Sequence, residues 1–565
     1  MRESFWRRHW VLKWTAIAVL AALVALAAAM SVLLHRVEPI MRARIVSELQ
    51  QQFHARVELD SFHVSLASGL QAEGRGLRIW PPAEVQGVTV PAPNPDKPLI
   101  SLDEFRFRAP LNYKPGEPIR VSVVQLRGLT VDMPPKSRFT HKIEEQPNAG
   151  ASKFSVGQAL IHFSVSSIAC TGAHLILETS KPGKLPLEFE IASLKLTGIQ
   201  PGWKMLYSAD LTNALPVGTI LTSGNFGPWK VEDPGESAIA GKYDFEHANL
   251  GDFKGIAGML NSTGNYQGTL RDLTVDGETD TPDFRLTHFG APMALHTQFH
   301  ALVDGTNGDT RLEPVAATLG QSHFTAQGQI VGVPLEGNSK DGEGKPQTAA
   351  QSKGHLISLV VDVAGGRMED FLRLVSKSGT PLLTGTLTLK TSLDIPPGNQ
   401  PLEDRIRLKG TFSLEDAQFT DAKIQDRIAG LSLRGQGRPK DTKNSDDKAE
   451  VRSTMQSDFE MAGGVVTLPD LVYTMPGTDI EMNGTYGVEQ GALNFSGTAK
   501  MQATVSQMIG GWKGLLLKPA DRLFKKDGAG TEVPIHIDGT RQDPHFSVDF
   551  DRMKNSSAQR PDQSP

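Results

Sequence analysis

His296 and His300 stand four residues apart in ALHTQFHALV, a spacing that on a helix would aim two imidazoles at one metal ion. The stretch alternates like a strand, where four residues span ~13 Å, too far to chelate a single ion. Both read as surface or groove-wall histidines. Asp304, Asn307 and Asp309 in VDGTNGDT invite a calcium loop, but no EF-hand spacing with a closing Glu follows, so a turn is expected. Cys170 stands alone, which excludes an internal disulfide framework. No G-x-S-x-G, P-loop, H-E-x-x-H, C-x-x-C or Rossmann glycine pattern occurs, and the scattered carboxylates offer no acid–base pair. The expectation is a protein that is not an enzyme, with no catalytic residue, no metal and no cofactor.

The elements that must carry these residues are mostly strands. VELDSFHVSL reads as one through Val57, Leu59, Phe62, Val64 and Leu66, and GLQAEGRGLRI after it as a turn-rich pair. The two-residue period continues through Leu102 to Phe107, through Ile119, Val121 and Val123, and through Leu129, Val131 and Met133. It returns at Phe189 and Ile191, then at Leu194 and Leu196, which are candidate groove or core residues. The pattern D-G-x4-P-x-F occurs twice, at Asp276, Gly277, Pro282, Phe284 and at Asp538, Gly539, Pro544, Phe546. It predicts a strand, a turn begun by Asp-Gly, and a second strand entered from the proline, in repeated β-modules.

Helical signals are few. Pro39 to His54 carries an apolar stripe (Ile40, Met41, Ile45, Leu49, Phe53) expected to pack on the first strands rather than lie on a membrane surface. Arg367 to Lys377 reads as a helix that Gly379 can close, and Ala422 to Ala429 as one or two turns. Val505 to Lys526 is the most amphipathic stretch, interrupted by Pro519. Its Met508, Ile509, Trp512, Leu516 and Phe524 either cap the β body as core or touch a membrane or partner, and capping is the preferred reading.

One stretch bears on compartment. Trp14 to Leu34 runs 21 residues without a formal charge, about 31 Å of helix, the thickness of a bilayer's hydrocarbon core. Arg2, Arg7, Arg8 and Lys13 precede it, as at an inside-facing end. Trp14, Leu20, Leu23, Leu26, Leu33 and Leu34 are read as the membrane anchor. A cleaved signal peptide with Ala27-Ala28-Ala29 as its site is the rival, but its apolar region would exceed the usual ~7–15 residues. Either way the rest of the chain is exported. Among the 565 residues Lys and Arg number 58 and Asp and Glu 63, a net charge of −5 that provides no basic footprint for nucleic acid. Fifty-five glycines and 36 prolines are the punctuation of many short strands.

Such strands must put their apolar faces somewhere: in a sandwich, in a closed barrel, or in a long sheet curled into a gutter whose inner face meets lipid chains. Periodicity alone does not choose among these. The anchor running into EPIMRARIVSELQQQFHARVELDSFHVSLASGLQAEGRGLRI resembles the opening of the AsmA-like family of Gram-negative envelope proteins. SGNFGPWKVEDPGESAIAGKYDFEHANLGDFKGIAGMLNSTGNYQGTL, FSLEDAQFTDAKIQDRIAGLSLRGQG and the C-terminal GTYGVEQGALNFSGTAKMQATVSQM with VPIHIDGTRQDPHF extend the resemblance over most of the chain.

That resemblance implies a mainly β fold: a transmembrane helix, then an elongated, curled, gutter-like β-sheet with a few short helices. The expected division is a cytoplasmic N-terminus (1–13), the transmembrane helix (14–34), an N-terminal β region (35–220), a first repeat-like β module (221–335), a flexible loop (336–354), a middle β region with short helices (355–440), a second loop (441–450), a C-terminal region (451–552) and a tail (553–565). It also implies a single-pass inner-membrane protein with its bulk in the periplasm. Such a protein would hold or conduct phospholipids of the inner membrane along a hydrophobic β-groove, for outer-membrane biogenesis or lipid homeostasis. Outer-membrane components or β-barrel assembly proteins are further partners it admits. The alternative is an envelope scaffold or assembly factor that binds β-rich outer-membrane clients, strand to sheet edge, without carrying lipid.

Overall fold

A computed structural model describes residues 38–50, 55–65, 70–80, 84–85, 88–89, 97–109, 119–133, 163–178, 186–199, 204–334, 353–375, 381–439, 451–509 and 530–548, less positions 215, 229, 231–233, 254, 288–289, 399 and 401. The anchor reading at 14–34 and the loop readings at 336–354 and 441–450 fall wholly or almost wholly outside the described residues. The chain divides into two compact units. The first comprises Met1–Ser180, Pro186–Ala214 and Ile220–Gly241; the second comprises Lys181–Leu185, Leu215–Thr219 and Lys242–Pro565. Both are mainly β, and within each the sheet is curled.

The first unit opens with helix α1 (residues 38–50). Its strands are β1 (Val57–Ser65), β2 (Leu70–Ile79), the small hairpin β3 (Glu84–Val85) and β4 (Val88–Thr89), β5 (Ile100–Ala109), β6 (Ile119–Met133), β7 (Phe163–Leu177), β8 (Leu187–Thr197), β9 (Met205–Ala214) and most of β10 (Val217–Phe226). Pairing is antiparallel except between β6 and β7, which run parallel. As the stripe predicts, α1 packs on strands: Met41 is buried, and Ile45, Val46 and Leu49 lie against Val57, Phe62, Leu77, Phe105 and their neighbours. Ile40 of the same stripe is instead exposed.

A transverse line of paired kinks organises these strands. The register sets Asp60 opposite Gly76, Gly76 opposite Asp103, Asp103 opposite Gly128, Gly128 beside Gly172, and Gly172 opposite Ala192. Along this line every strand changes parity, so Leu59 and Phe62, or Leu102 and Phe105, stay buried on one face although they are three positions apart. Gly76 and Gly128 adopt φ of 66° and 65°, and the Asp60 and Asp103 carboxylates occupy the space a Cβ would need there. The line ends in a bulge on β8, where the register to β9 slips between Ile191 and Ser193.

Two expectations are corrected here. GLQAEGRGLRI is one strand, β2, not a turn-rich pair, because its glycines serve a kink and the close approach of the Phe105 ring to Gly74. Val123 does not share a face with Val121: it is 42% exposed against 1%, the β6–β7 ladder being interrupted at Ser122, whose carbonyl accepts a bond from Ser167 Oγ (2.9 Å).

The second unit contains β11 (Ala238–Asn249, which straddles the boundary), β12 (Ile256–Ala257), β13 (Met259–Thr269), β14 (Leu273–Leu286), β15 (Met293–Val303), β16 (Thr310–Leu319), β17 (Ser322–Pro334) and β18 (Lys353–Arg367). Helix α2 (Met368–Val375), β19 (Leu383–Ile395), α3 (Leu402–Arg405), β20 (Arg407–Phe419) and α4 (Ala422–Gly435) follow. It closes with β21 (Thr454–Ala462), β22 (Val465–Met475), β23 (Thr478–Gly487), β24 (Ala492–Met501), α5 (Val505–Ile509), β25 (Thr531–Thr540) and β26 (Pro544–Val548). From β13 to β26 each strand pairs antiparallel with the next.

Helix α4 is longer than the one or two turns expected. Asp421 caps it, accepting from the amides of Lys423 and Ile424, and beyond Ala429 Leu431 packs against the core cluster and Leu433 is buried. The Asp-Gly repeat divides. Asp538-Gly539 leads into a turn closed between Thr540 and Asp543, and β26 begins at Pro544, as predicted. Asp276-Gly277 lies inside β14, with a register shift at Pro282 where a turn was expected. Glycine there answers a close approach: Tyr243 Oη and Phe299 Cζ would stand 2.7 and 2.9 Å from an added Cβ.

Candidate functional site: an open apolar sheet face

One face of the second unit's sheet is apolar from strand to strand. Following the register, Tyr266 pairs with Val275, Val275 with Ala301, Ala301 with Leu312, Leu312 with Gly328, and Gly328 with Leu359. The row goes on from Leu359 to Leu393, Leu408, Met461, Val466, Tyr486 and Leu493. Twelve consecutive strands, β13 to β24, thus contribute one apolar residue or glycine each, a path of about 50 Å at the usual strand spacing. On the opposite face the corresponding outer row over β19 to β23 is polar, formed by Ser392, Lys409, Glu460, Thr467 and Thr485, and it meets the exposed Val360 on β18.

The two ends of these strands differ. At one end α2, α4 and α5 cover the face around Leu387, Leu414, Tyr473, Met475, Ile480 and Met501, with Met368, Phe371, Leu431 and Met508 against them. At the other end, some six residues or ~20 Å along β19, Leu359, Leu393, Leu408 and Val466 are only half-buried. The strands β13 to β26 all belong to one sheet. A sandwich would have buried these side chains fully; here they are shielded by neighbours on the same curled sheet. Chemically the face offers dispersion contact to an apolar chain and nothing more reactive.

Hydroxyls enter the face at Thr391 and Ser457, both bonded within the sheet, and as a cluster over β13 to β15. Tyr243 Oη bonds Ser262 Oγ (3.0 Å), Ser262 Oγ donates to the Glu278 carbonyl (2.9 Å), and the Thr279 and Thr297 hydroxyls share a bond of 2.7 Å. Burial pushes the Tyr243 phenol above its ordinary pKa, with the Ser262 bond opposing more weakly. Tyr473, under the helices, is raised in the same way, its hydroxyl donating to Ser453 Oγ at 3.0 Å.

The residues singled out by sequence fare differently. Phe189, Ile191, Leu194 and Leu196 are all half-buried on one face of β8, brought there together by the Ala192–Ser193 bulge. Met508, on α5, is partly buried and packs against the core cluster. Ile509 ends α5, its side chain outside the description, and Trp512, Leu516 and Phe524 lie outside the described residues, as do Trp14, Leu20, Leu23, Leu26, Leu33 and Leu34. Among the described residues no helix is long and apolar enough to cross a membrane.

His296 and His300 sit on the polar face, each bonded through Nδ1 to the aspartate opposite, Asp280 (2.8 Å) and Asp276 (2.6 Å). The Asp304 carboxylate is taken by its own turn, through the Thr306 amide and hydroxyl and Asn307 Nδ2. Sequence reasoning missed the row from β13 to β24. Its members alternate correctly within each strand, but only the pairing registers join them. No protein-family model, curated protein or solved structure matches the chain.

Proposed function

We propose that this protein holds or conducts phospholipid along the apolar face of its sheet, without catalysing a reaction. On this reading residues 14–34 anchor it in an inner membrane, its bulk stands in the periplasm, and its task is outer-membrane biogenesis or lipid homeostasis, as the AsmA-like resemblance implies. The observation that carries the proposal is the apolar row over twelve strands, from Tyr266 to Leu493, whose Leu359, Leu393, Leu408 and Val466 remain only half-buried. Each methylene laid on such a face gains about 0.8 kcal/mol, which offsets withdrawal from a bilayer, and near-equivalent sites on successive strands leave little barrier between them.

Mass spectrometry of lipids extracted from the purified full-length protein tests it. Near-stoichiometric phospholipid is expected, falling severalfold in Leu393→Glu and unchanged in Ser392→Glu, which puts the same charge on the polar face. A folded wild type that repeatedly carries no lipid overturns the proposal, and a bound β-strand client in its place would point to the scaffold alternative.

A further inference from the structure

Within the apolar face of the second unit, the row next to Tyr266, Val275 and Ala301 is Gly264, Gly277 and Phe299, and the row after that is Ser262, Thr279, Thr297 and Ala317. Apolar residues resume beyond it, where Thr281 pairs with Leu295 and Leu295 with Leu319. A short ladder of hydroxyls therefore crosses β13, β14 and β15 between apolar rows.

Its protons can be counted. The Ser262 hydroxyl hydrogen goes to the Glu278 carbonyl, which has none of its own to give, so Tyr243 must be the donor to Ser262. Thr279 and Thr297 bring two hydrogens to their single shared bond. One hydroxyl proton is left over. Thr281, on the same face, is 2% exposed and closes the ladder on its far side. An uncommitted donor on an apolar surface is costly unless a ligand accepts from it.

Resting on the lipid-carrying function, we propose that this ladder is a polar station that accepts the ester carbonyl of an acyl lipid, while the lipid's chain lies along the neighbouring apolar row. An ester has acceptors and no donor, so its carbonyl can take the proton that the Thr279–Thr297 pair leaves over. A free alkane would cross the ladder without stopping. Of the ligands an apolar face can hold, the station thus selects those with a carbonyl at the junction of chain and headgroup.

Full-length protein is loaded with radiolabelled methyl palmitate or with hexadecane, the unbound probe is removed by gel filtration, and the retained label is counted. Wild type is expected to keep the ester about three- to tenfold better than the alkane, the range a single net hydrogen bond supports. The triple variant T279V/T281V/T297V is expected to lose that preference with alkane retention unchanged. The single variants T279V and T297V each leave a ladder hydroxyl and are expected to keep it, which also controls for folding. Equal retention of the two probes by wild type, or an unchanged ratio in the triple variant, overturns the station and leaves the apolar path standing. Retention of neither probe by folded wild type overturns the path as well.

Discussion

The phenol of Tyr243 lies across Gly264 and Gly277 and is held there by Ser262, so the sheet is shaped to one ring. Gly277→Ala would drive a methyl into Tyr243 Oη and Phe299 Cζ, and about 1–3 kcal/mol of destabilisation is expected from overpacking in a denaturant melt. The phenols also set an alkaline limit. Burial raises Tyr243 and Tyr473 in the folded state, whereas in the unfolded chain they ionise near their ordinary value of about 10. A raised folded value means that their contribution is full below about pH 10 and is lost as pH climbs from there through the folded values. Absorbance at 295 nm should show Tyr243 and Tyr473 ionising above the ordinary tyrosine value, with stability falling over the same interval. Tyr473→Phe should flatten that fall while removing the bond to Ser453.

Among the elements, β8 shows how much one residue can carry. Phe189 and Ile191 precede the Ala192–Ser193 bulge, Leu194 and Leu196 follow it, and all four share a face because of the extra residue. Deleting Ala192 would turn one of these pairs to the polar face. A loss of cooperative unfolding in the first unit is expected by hydrogen exchange, whereas Ala192→Ser, which keeps the count, should change stability by less than about 0.5 kcal/mol. Helix α1 is a second case. Met41 is 5% exposed against Val57, Phe62 and Phe105, and Met41→Ala should cost about 2–5 kcal/mol in the same unit. These elements were half legible beforehand. The alternation in VELDSFHVSL announces a strand, and Asp60 looks like a lapse in it until its carboxylate is seen against Gly76 across the ladder.

For the molecule as a whole, the second unit leaves an apolar face half-covered, and a bound apolar ligand should stabilise it by mass action. Exhaustive delipidation should therefore lower the melting temperature of the wild type, and restoring phospholipid should return it. Leu393→Glu should abolish the response, because Leu393 stands in the row between Leu359 and Leu408.

Sequence by itself determined the class of this protein. Alternating residues at Val57–Val64 and at Leu187–Leu196, dense glycine and proline, and the lack of a catalytic motif announce a strand-rich chain with apolar faces to cover. It also located α1, α2 and the turn at Asp304, where the signals are local: a helical stripe, a carboxylate beside its own amides. What only the tertiary structure decided is what meets across strands. Asp276-Gly277 reads locally as a turn, yet it continues as strand because its partners Asn265–Gly264 and Phe299–His300 extend on both sides. The path from Tyr266 to Leu493 is a product of eleven registers, each set by pairing between residues distant in the chain. A one-residue slip in any of them would break it, and no window of sequence contains that information.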